Sequence, residues 1–321
     1  MSITHSHTNA RAPVLDGARG IAVLAMIIYH FAWDLSHFGL IDTNVATAGG
    51  WKLFAQAIAA SFLFISGVSL HLASAGGLNR AAFLRRLLLI SAAAGLVTAG
   101  TYAVFPHSYV TFGILHCIAV SSLVAVALRS LPPAVIAVIG IAVLILPSGF
   151  RGPAFEAPWI QWLGLGAQPP RANDFVPVFP WTGYVLLGLA AGRAFGARLP
   201  RTTAPRSGLV GLIGRHSLPI YLVHQPVLFG ALALGIQMGV LPDRQAETAL
   251  TRTCAMECQV SGASPSLCSA ACLCTTQELR RLPLWRHVIA DTLSFEDRRR
   301  VDAIGQACYR ESARHQPASR P

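Results

Sequence analysis

Charge is what this sequence has least of. Only 12% of its 321 residues are Asp, Glu, Lys or Arg, about half the share of a soluble domain. With 53% hydrophobic residues and a mean hydropathy of +0.52, that shortage excludes an ordinary soluble domain. It points to a polytopic membrane protein. Other absences narrow the class. Residues 1–13 are polar and lack an apolar stretch ahead of a small-residue cleavage site, so no signal peptide is expected. Walker, Rossmann and Asn-x-Ser/Thr patterns are missing from any useful context. Apart from the neighbours His30, Asp34 and His37, no His/Asp/Glu set has ligand spacing, and no metal is expected. Cysteine is almost absent from the first 240 residues. Cys117 stands there by itself and reads as a small buried hydrophobe.

The charge that is present is basic, a net +11, and it needs a location before it needs a partner. Most arginines fall in short loops between apolar runs, where topology signals sit, so no nucleic acid is expected. Seven runs qualify as spans: 18–40, 52–75, 87–105, 110–128, 134–148, 177–196 and 217–240. Each is near the ~20 residues needed to cross a bilayer, the fifth being short. Arg11, Arg19, Arg80, Arg85, Arg86, Arg129, Arg198, Arg201, Arg206 and Arg215 mark one side. Only Lys52, Arg151 and Arg171 mark the other. The N-terminus is then cytoplasmic and, after seven spans, the C-terminus is outside. The loop 149–176 carries Trp159 and Trp162 among prolines, and reads equally as an interfacial segment or a lid. The expected fold is all-α: a bundle of about seven spans with a small cysteine-rich helical C-terminal domain. The segments are a cytoplasmic N-terminus (1–17), a transmembrane catalytic domain (18–240) and a periplasmic tail (241–321).

Six cysteines lie in that tail: Cys254, Cys258, Cys268, Cys272, Cys274 and Cys308. An even number outside the cell favours three disulfides. Two pairs are spaced i, i+4, which puts both sulfurs on one helical face. Ser261-Gly262-Ala263-Ser264-Pro265 between them reads as a turn. An antiparallel helical pair would join Cys254 to Cys272 and Cys258 to Cys268. Cys274 to Cys308 would then close over a last helix, 294–307, capped by Ser294 with Asp297 as partner.

The first span is the chemical object. An α-helix turns about 100° per residue, so Arg19 and His30 differ by about 20° and stand about 16 Å apart along the axis. Asp34 follows one turn later and His37 continues the stripe. Ionisable groups inside a span are expensive and mark function. A histidine beside a carboxylate can take a proton from an acceptor hydroxyl or amine. An arginine at the rim can hold the phosphates of a carrier such as coenzyme A. His30 and Asp34 are therefore the catalytic candidates. Arg19, Arg215 and Ser217 are the donor-binding candidates, with Ser217 also reading as the N-cap of the last span. His116 and His224 each either line a pocket with His30 or hydrogen-bond a backbone carbonyl. His71 and His107 read as interfacial.

At this point a family resemblance becomes visible. Asp16-Gly17-Ala18-Arg19-Gly20-Ile21-Ala22, followed by Tyr29-His30-Phe31, resembles the first-helix motif of transmembrane acyltransferases. Arg19…His30 has the acyltransferase-3 spacing. Trp33-Asp34-Leu35 makes the stretch more similar to bacterial proteins with the heparan-alpha-glucosaminide N-acetyltransferase catalytic domain. Phe62-Leu63-Phe64-Ile65-Ser66-Gly67-Val68-Ser69-Leu70 resembles that family's second helix, and Phe112-Gly113-Ile114-Leu115-His116 its fourth. Asp174…Pro180-Trp181 resembles the approach to a later span. Gly214-Arg215-His216-Ser217-Leu218 with Ile220-Tyr221-Leu222-Val223-His224-Gln225-Pro226 resembles the closing helix. The resemblance covers roughly residues 11–240 and leaves the cysteine tail outside. It implies an acetyl-CoA co-substrate and a pocket that includes His37, His116, Asp174, Trp181 and His224. One departure matters. The family's acetyl-accepting histidine follows the first helix, and this chain has no histidine between His37 and His71. Direct transfer with His30 as base is expected instead.

The chain is thus expected to be a membrane acyltransferase. It would move an acetyl or similar group from acetyl-CoA to a hydroxyl or amine of a sugar, an envelope glycan or another small molecule. No cofactor is permanently bound, and a homo-oligomer is left open. The alternative is a proton-coupled transporter with a His/Asp relay, which the lack of a repeat between the two halves disfavours. A sensor with a ligand-binding tail explains the buried His and Asp least.

Overall fold

The structure, a computed structural model, describes residues 12–198, 208–289 and 292–315. Arg11, Arg201 and Arg206 of the orientation argument lie outside these residues. Among those described, regular structure is helical apart from one isolated bridge between Phe112 and Phe175. The helices are α1 (Pro13–His37), α2 (Gly49–Ser74), α3 (Arg80–Val104), α4 (Ile114–Leu128), α5 (Pro133–Gly149), α6 (Val178–Phe195), α7 (Leu209–Arg215), α8 (Ser217–Gln237), α9 (Arg244–Val260), α10 (Pro265–Arg280), α11 (Trp285–Ile289) and α12 (Phe295–His315).

Each of the seven apolar runs coincides with a helix. By length and composition, α1, α2, α3 and α8 are the four described helices able to cross a membrane. The apolar α4 and α5 are shorter, at 15 and 17 residues, and α6 has 18. The protein is therefore a membrane protein, with four described helices long and apolar enough to span against the seven runs expected. The largest shift in a boundary is at α3. It starts at Arg80 rather than near residue 87, because the Asn79 side chain accepts a hydrogen bond from the Ala82 amide (3.1 Å) and caps the helix ahead of its arginines. Arg80, Arg85 and Arg86 are thus helical residues and not loop residues.

The chain divides into two compact units: Met1–Trp33 with Val45–Gly230, and Asp34–Asn44 with Ala231–Pro321. In the first, α6 runs against both α2 and α5, and α4 packs on α3, α2 and α6. Leu63, Ile136, Leu186 and Leu189 are fully buried at its centre. A smaller cluster joins Val23 and Met26 of α1 to Ile58 of α2, flanked by Ile213, Ile220 and Tyr221. Apolar side chains gain little from meeting each other rather than lipid, so helices associate through close backbone approach at small residues. That is what is seen. A Cβ on Gly188 would lie 2.0 Å from the Phe64 carbonyl oxygen, and one on Gly67 would lie 2.0 Å from that of Val185. The loop 149–176 is held by bonds within itself and to the segment before α4. Trp162 Nε1 donates to the Trp159 carbonyl (2.7 Å), the Asn173 amide to Ser108 (2.8 Å) and the Val176 amide to Phe112 (3.0 Å).

In the second unit the three disulfides join Cys254 to Cys272, Cys258 to Cys268 and Cys274 to Cys308. This is the connectivity that the i, i+4 spacing implies. The Cα–Cα distances of 5.6–5.8 Å are ordinary for the bond. Ser264 caps α10 through the Leu267 amide, with Pro265 at its first position. Ser294 accepts from the Asp297 amide (3.1 Å) and donates to its carboxylate (2.6 Å), capping α12, which runs on to His315. The turn after α1 belongs to this unit. Gln245 donates to the His37 carbonyl, and Gly39, at φ +68°, packs against Arg244. A cavity of about 930 Å³ opens between residues 39–42 and the facing sides of α9 and α10.

Two measurements check this architecture. Gly188→Ala is expected to abolish monodisperse protein in detergent, whereas Gly95→Ala, with nothing near its added Cβ, is expected to leave it intact. For the disulfides, chain entropy gives about 4 kcal/mol for the 34-residue separation and about 3 kcal/mol for the 10-residue one. Denaturation of a Cys274→Ser/Cys308→Ser variant should therefore show the larger loss of stability, and Cys258→Ser/Cys268→Ser the smaller.

Candidate active site

Two groups of polar residues lie inside the first unit, and α1 contributes to both. At its N-terminal end Asp16 is buried and bridges two cations. Its Oδ1 lies 3.4 Å from Arg19 Nη1 and its Oδ2 lies 3.4 Å from Arg215 Nε. The other Arg19 terminal nitrogen donates to Ser69 Oγ. Arg86 Nη2 donates to Ser66 Oγ at 3.5 Å and lies within electrostatic reach of Arg19. Two guanidinium groups thus share one carboxylate, with a third within electrostatic reach, leaving a local excess of positive charge. The helices are brought this close by glycine. A Cβ on Gly20 would lie 2.0 Å from the Val210 carbonyl oxygen, and one on Gly214 would lie 1.8 Å from that of Asp16. Sequence reasoning linked Arg19 with Arg215 and missed Arg86, which it assigned to a loop. The capping Asn79 was the signal that places Arg86 in a helix.

Ser217 is also corrected. It is the first residue of α8, and the capping position belongs to His216, whose carbonyl accepts from the Ile220 amide (3.1 Å). The tight α7–α8 junction moves the helix start back by one residue. His216 Nδ1 itself faces the Leu212 carbonyl at 3.0 Å.

Eleven residues along α1, His30 meets α8. Its ring centroid is 4.9 Å from that of His224, with the planes at 64°, and Tyr29 sits edge-on at 5.5 Å. Tyr221 lies 5.8 Å from His224 on the other side. His224 Nδ1 is 2.7 Å from the Tyr221 carbonyl oxygen. Its Nε2 is buried and has no hydrogen-bond partner among the described residues. Of the two roles that the sequence left open for His224, the bond to a backbone carbonyl is seen. Its ring also faces that of His30.

The other candidates divide. His116 occupies the third position of α4. Its Nδ1 accepts from the Gly113 amide (3.2 Å), and its Nε2 contacts Thr98 Oγ1 (3.4 Å), whose proton goes to the Val110 carbonyl (2.8 Å). Both ring nitrogens are engaged in holding the start of the helix. Asp174 does the same work from the far side of the loop, accepting from the Ile114 amide at 3.2 Å. Gly113 admits it, since a Cβ there would be 2.5 Å from Asp174 Oδ2. Burial pushes the Asp174 carboxyl up to about 6, against the lowering effect of the Ile114 amide. Its charge nevertheless reaches Tyr29 and Tyr221, which flank the histidine pair. Trp181 stands near the start of α6, its ring 5.7 Å from that of Tyr184. Asp34 and His37 lie further along α1, in the second unit. The Asp34 side chain is completely buried, and the His37 ring packs edge-on to Phe38 at 5.3 Å. Cys117 is buried and reduced, beside a Ser121–Thr182 hydrogen bond of 2.7 Å.

With this geometry in view, the chain was compared with known proteins. Residues 11–226 match the family model for heparan-alpha-glucosaminide N-acetyltransferase, catalytic. No curated protein and no solved structure matches it.

The raised carboxyl of Asp174 has a consequence for stability. The folded protein holds this proton between pH ~4 and ~6, where the unfolded chain has released it. The contribution is complete below pH 4 and is lost as the pH rises through 6. In Asp174→Asn the amide oxygen still caps α4 and stands in for the neutral carboxyl, so the pH dependence should vanish. Melting curves of the two proteins from pH 4 to 7 should therefore lie closest at low pH and diverge as the wild type loses stability with rising pH, and parallel curves would refute the assignment.

Proposed function

The chain belongs to the heparan-alpha-glucosaminide N-acetyltransferase catalytic family, and on that premise we propose how this membrane acetyltransferase works. Acetyl-CoA is the donor. Arg19, Arg86 and Arg215 bind its phosphates through their forked N–H donors, and Ser66 and Ser69 hold two of those side chains in place. His30 lies eleven residues along the same helix, about 16 Å away. That distance suits a carrier with a long arm between its phosphates and its thioester. The observation behind this reading is the pairing on one helix of a cation cluster short of acid with a histidine that faces a second histidine.

The acceptor is a hydroxyl or amine, most simply on a sugar of the cell envelope. His30 takes its proton while the new C–O or C–N bond forms at the acetyl carbonyl carbon. The C–S bond breaks, its electron pair leaves with sulfur, and the thiolate recovers the proton from His30. No acyl-histidine is needed, in keeping with the missing histidine between His37 and His71. The arginines gathered at one end of the helices favour a cytoplasmic N-terminus in a bacterial inner membrane. The arginine cluster would then open toward the compartment that holds the donor.

Thiol release from acetyl-CoA by purified protein, with glucosamine as acceptor, tests the proposal. His30→Ala should lower kcat about 100-fold or more. Arg86→Ala should leave kcat nearly unchanged and raise the KM for acetyl-CoA about tenfold, the value of one charge-assisted hydrogen bond. Full activity in His30→Ala would remove His30 from the mechanism.

A further inference from the structure

His224 has a use for only one of its nitrogens in the fold. The Tyr221 carbonyl oxygen can only accept a hydrogen bond, so at 2.7 Å the ring proton of neutral His224 sits on Nδ1. Nε2 is then a lone pair. It is buried and lacks a hydrogen-bond partner among the described residues. A buried acceptor without a donor is destabilising, so its persistence calls for a partner that arrives during function. The ring beside it is His30, 4.9 Å away between centroids and inclined at 64°. A small rotation at that separation brings an N–H of His30 to the lone pair of His224. Catalytic hydrogen bonds are often loose before substrate binds and tighten afterwards.

We infer that His224 is the positioning partner of His30. It stands where a carboxylate stands in a hydrolase triad, and the Tyr221 carbonyl anchors it in turn. The chain of bonds runs from the Tyr221 carbonyl to His224 Nδ1–H, from His224 Nε2 to an N–H of His30, and from the second nitrogen of His30 to the acceptor proton. Each link fixes the next tautomer, because a histidine that donates from one nitrogen must accept at the other. A neutral imidazole does here what an aspartate does elsewhere, and it adds no buried charge. His116 shows the contrast. Both of its nitrogens are engaged in the fold, so it has none left for such a role.

The inference rests on the acetyl-transfer reading, and the experiment separates the two. Thiol release from acetyl-CoA with glucosamine is measured for the full-length protein, for His224→Leu and for His224→Gln. Melting temperature in detergent is recorded alongside. Leu fills a similar volume without a polar atom. Gln restores an acceptor toward His30 and a donor toward Tyr221. The expected result is a fall in kcat of about tenfold or more in His224→Leu with the KM for acetyl-CoA unchanged, and recovery to within about threefold of wild type in His224→Gln. A purely structural role would not give that split or that rescue. If His224→Leu does not fold, His224→Ala takes its place. Wild-type protein that releases no thiol overturns the acetyl-transfer reading itself. Active wild-type protein with unchanged kcat in the apolar variant, or with no recovery in a folded His224→Gln, overturns the inference alone.

Discussion

The first unit depends on backbones meeting without side chains between them. Inside a bilayer, apolar side chains give helices no reason to leave lipid for each other, so van der Waals contact at very short range has to supply it. Gly67 and Gly188 let α2 and α6 touch carbonyl to Cα, and Gly20 and Gly214 do the same for α1 and α7. The polar residues of the site are neighbours of these glycines in sequence. Ser66 and Ser69 flank Gly67, Arg19 precedes Gly20, and Arg215 follows Gly214. The contact that holds the helices together therefore also aims the arginines.

Around that frame, buried polar groups separate by how fully the fold employs them. Ser121 and Thr182 satisfy each other. His116 and Asp174 are consumed in starting α4. These residues look functional in a sequence because polar atoms in apolar helices are rare, and each already has a partner within the fold. Arg19 and Arg215 share one Asp16, with Arg86 close to Arg19, and His224 keeps a nitrogen in reserve. A surplus donor or acceptor, more than the presence of a polar residue, distinguishes a site from a scaffold.

What could be read from sequence follows from the range of the interactions. The disulfide pairing was legible because i, i+4 spacing and a short turn are local. The Ser294 cap was legible for the same reason. The Arg19–His30 face followed from helical periodicity. The shorter reach of α4 and α5 was only partly visible, since apolarity marks where a helix can lie and not how long it runs. Arg86 was hidden because a charge-based boundary stops a helix at its arginines, whereas an asparagine cap starts it before them. The pairing of His30 with His224 depends on how α1 meets α8, across nearly two hundred residues, and no local pattern encodes it. The use of His116 as a cap was legible in principle, three residues after Gly113, but its apolar neighbours made a pocket role look equally good.

The last turn of α1 and the segment after it belong with the disulfide-stapled unit. Gln245 holds the His37 carbonyl, and Gly39 packs on Arg244. The cysteine-rich segment is thus no bead on a string, even though its sequence is set apart from the rest. Two stretches more than two hundred residues apart form one module, so exchange between relatives at a single cut near residue 241 would separate partners that fold together. The natural seam of this protein is discontinuous, and it passes through the first helix as well as ahead of the tail.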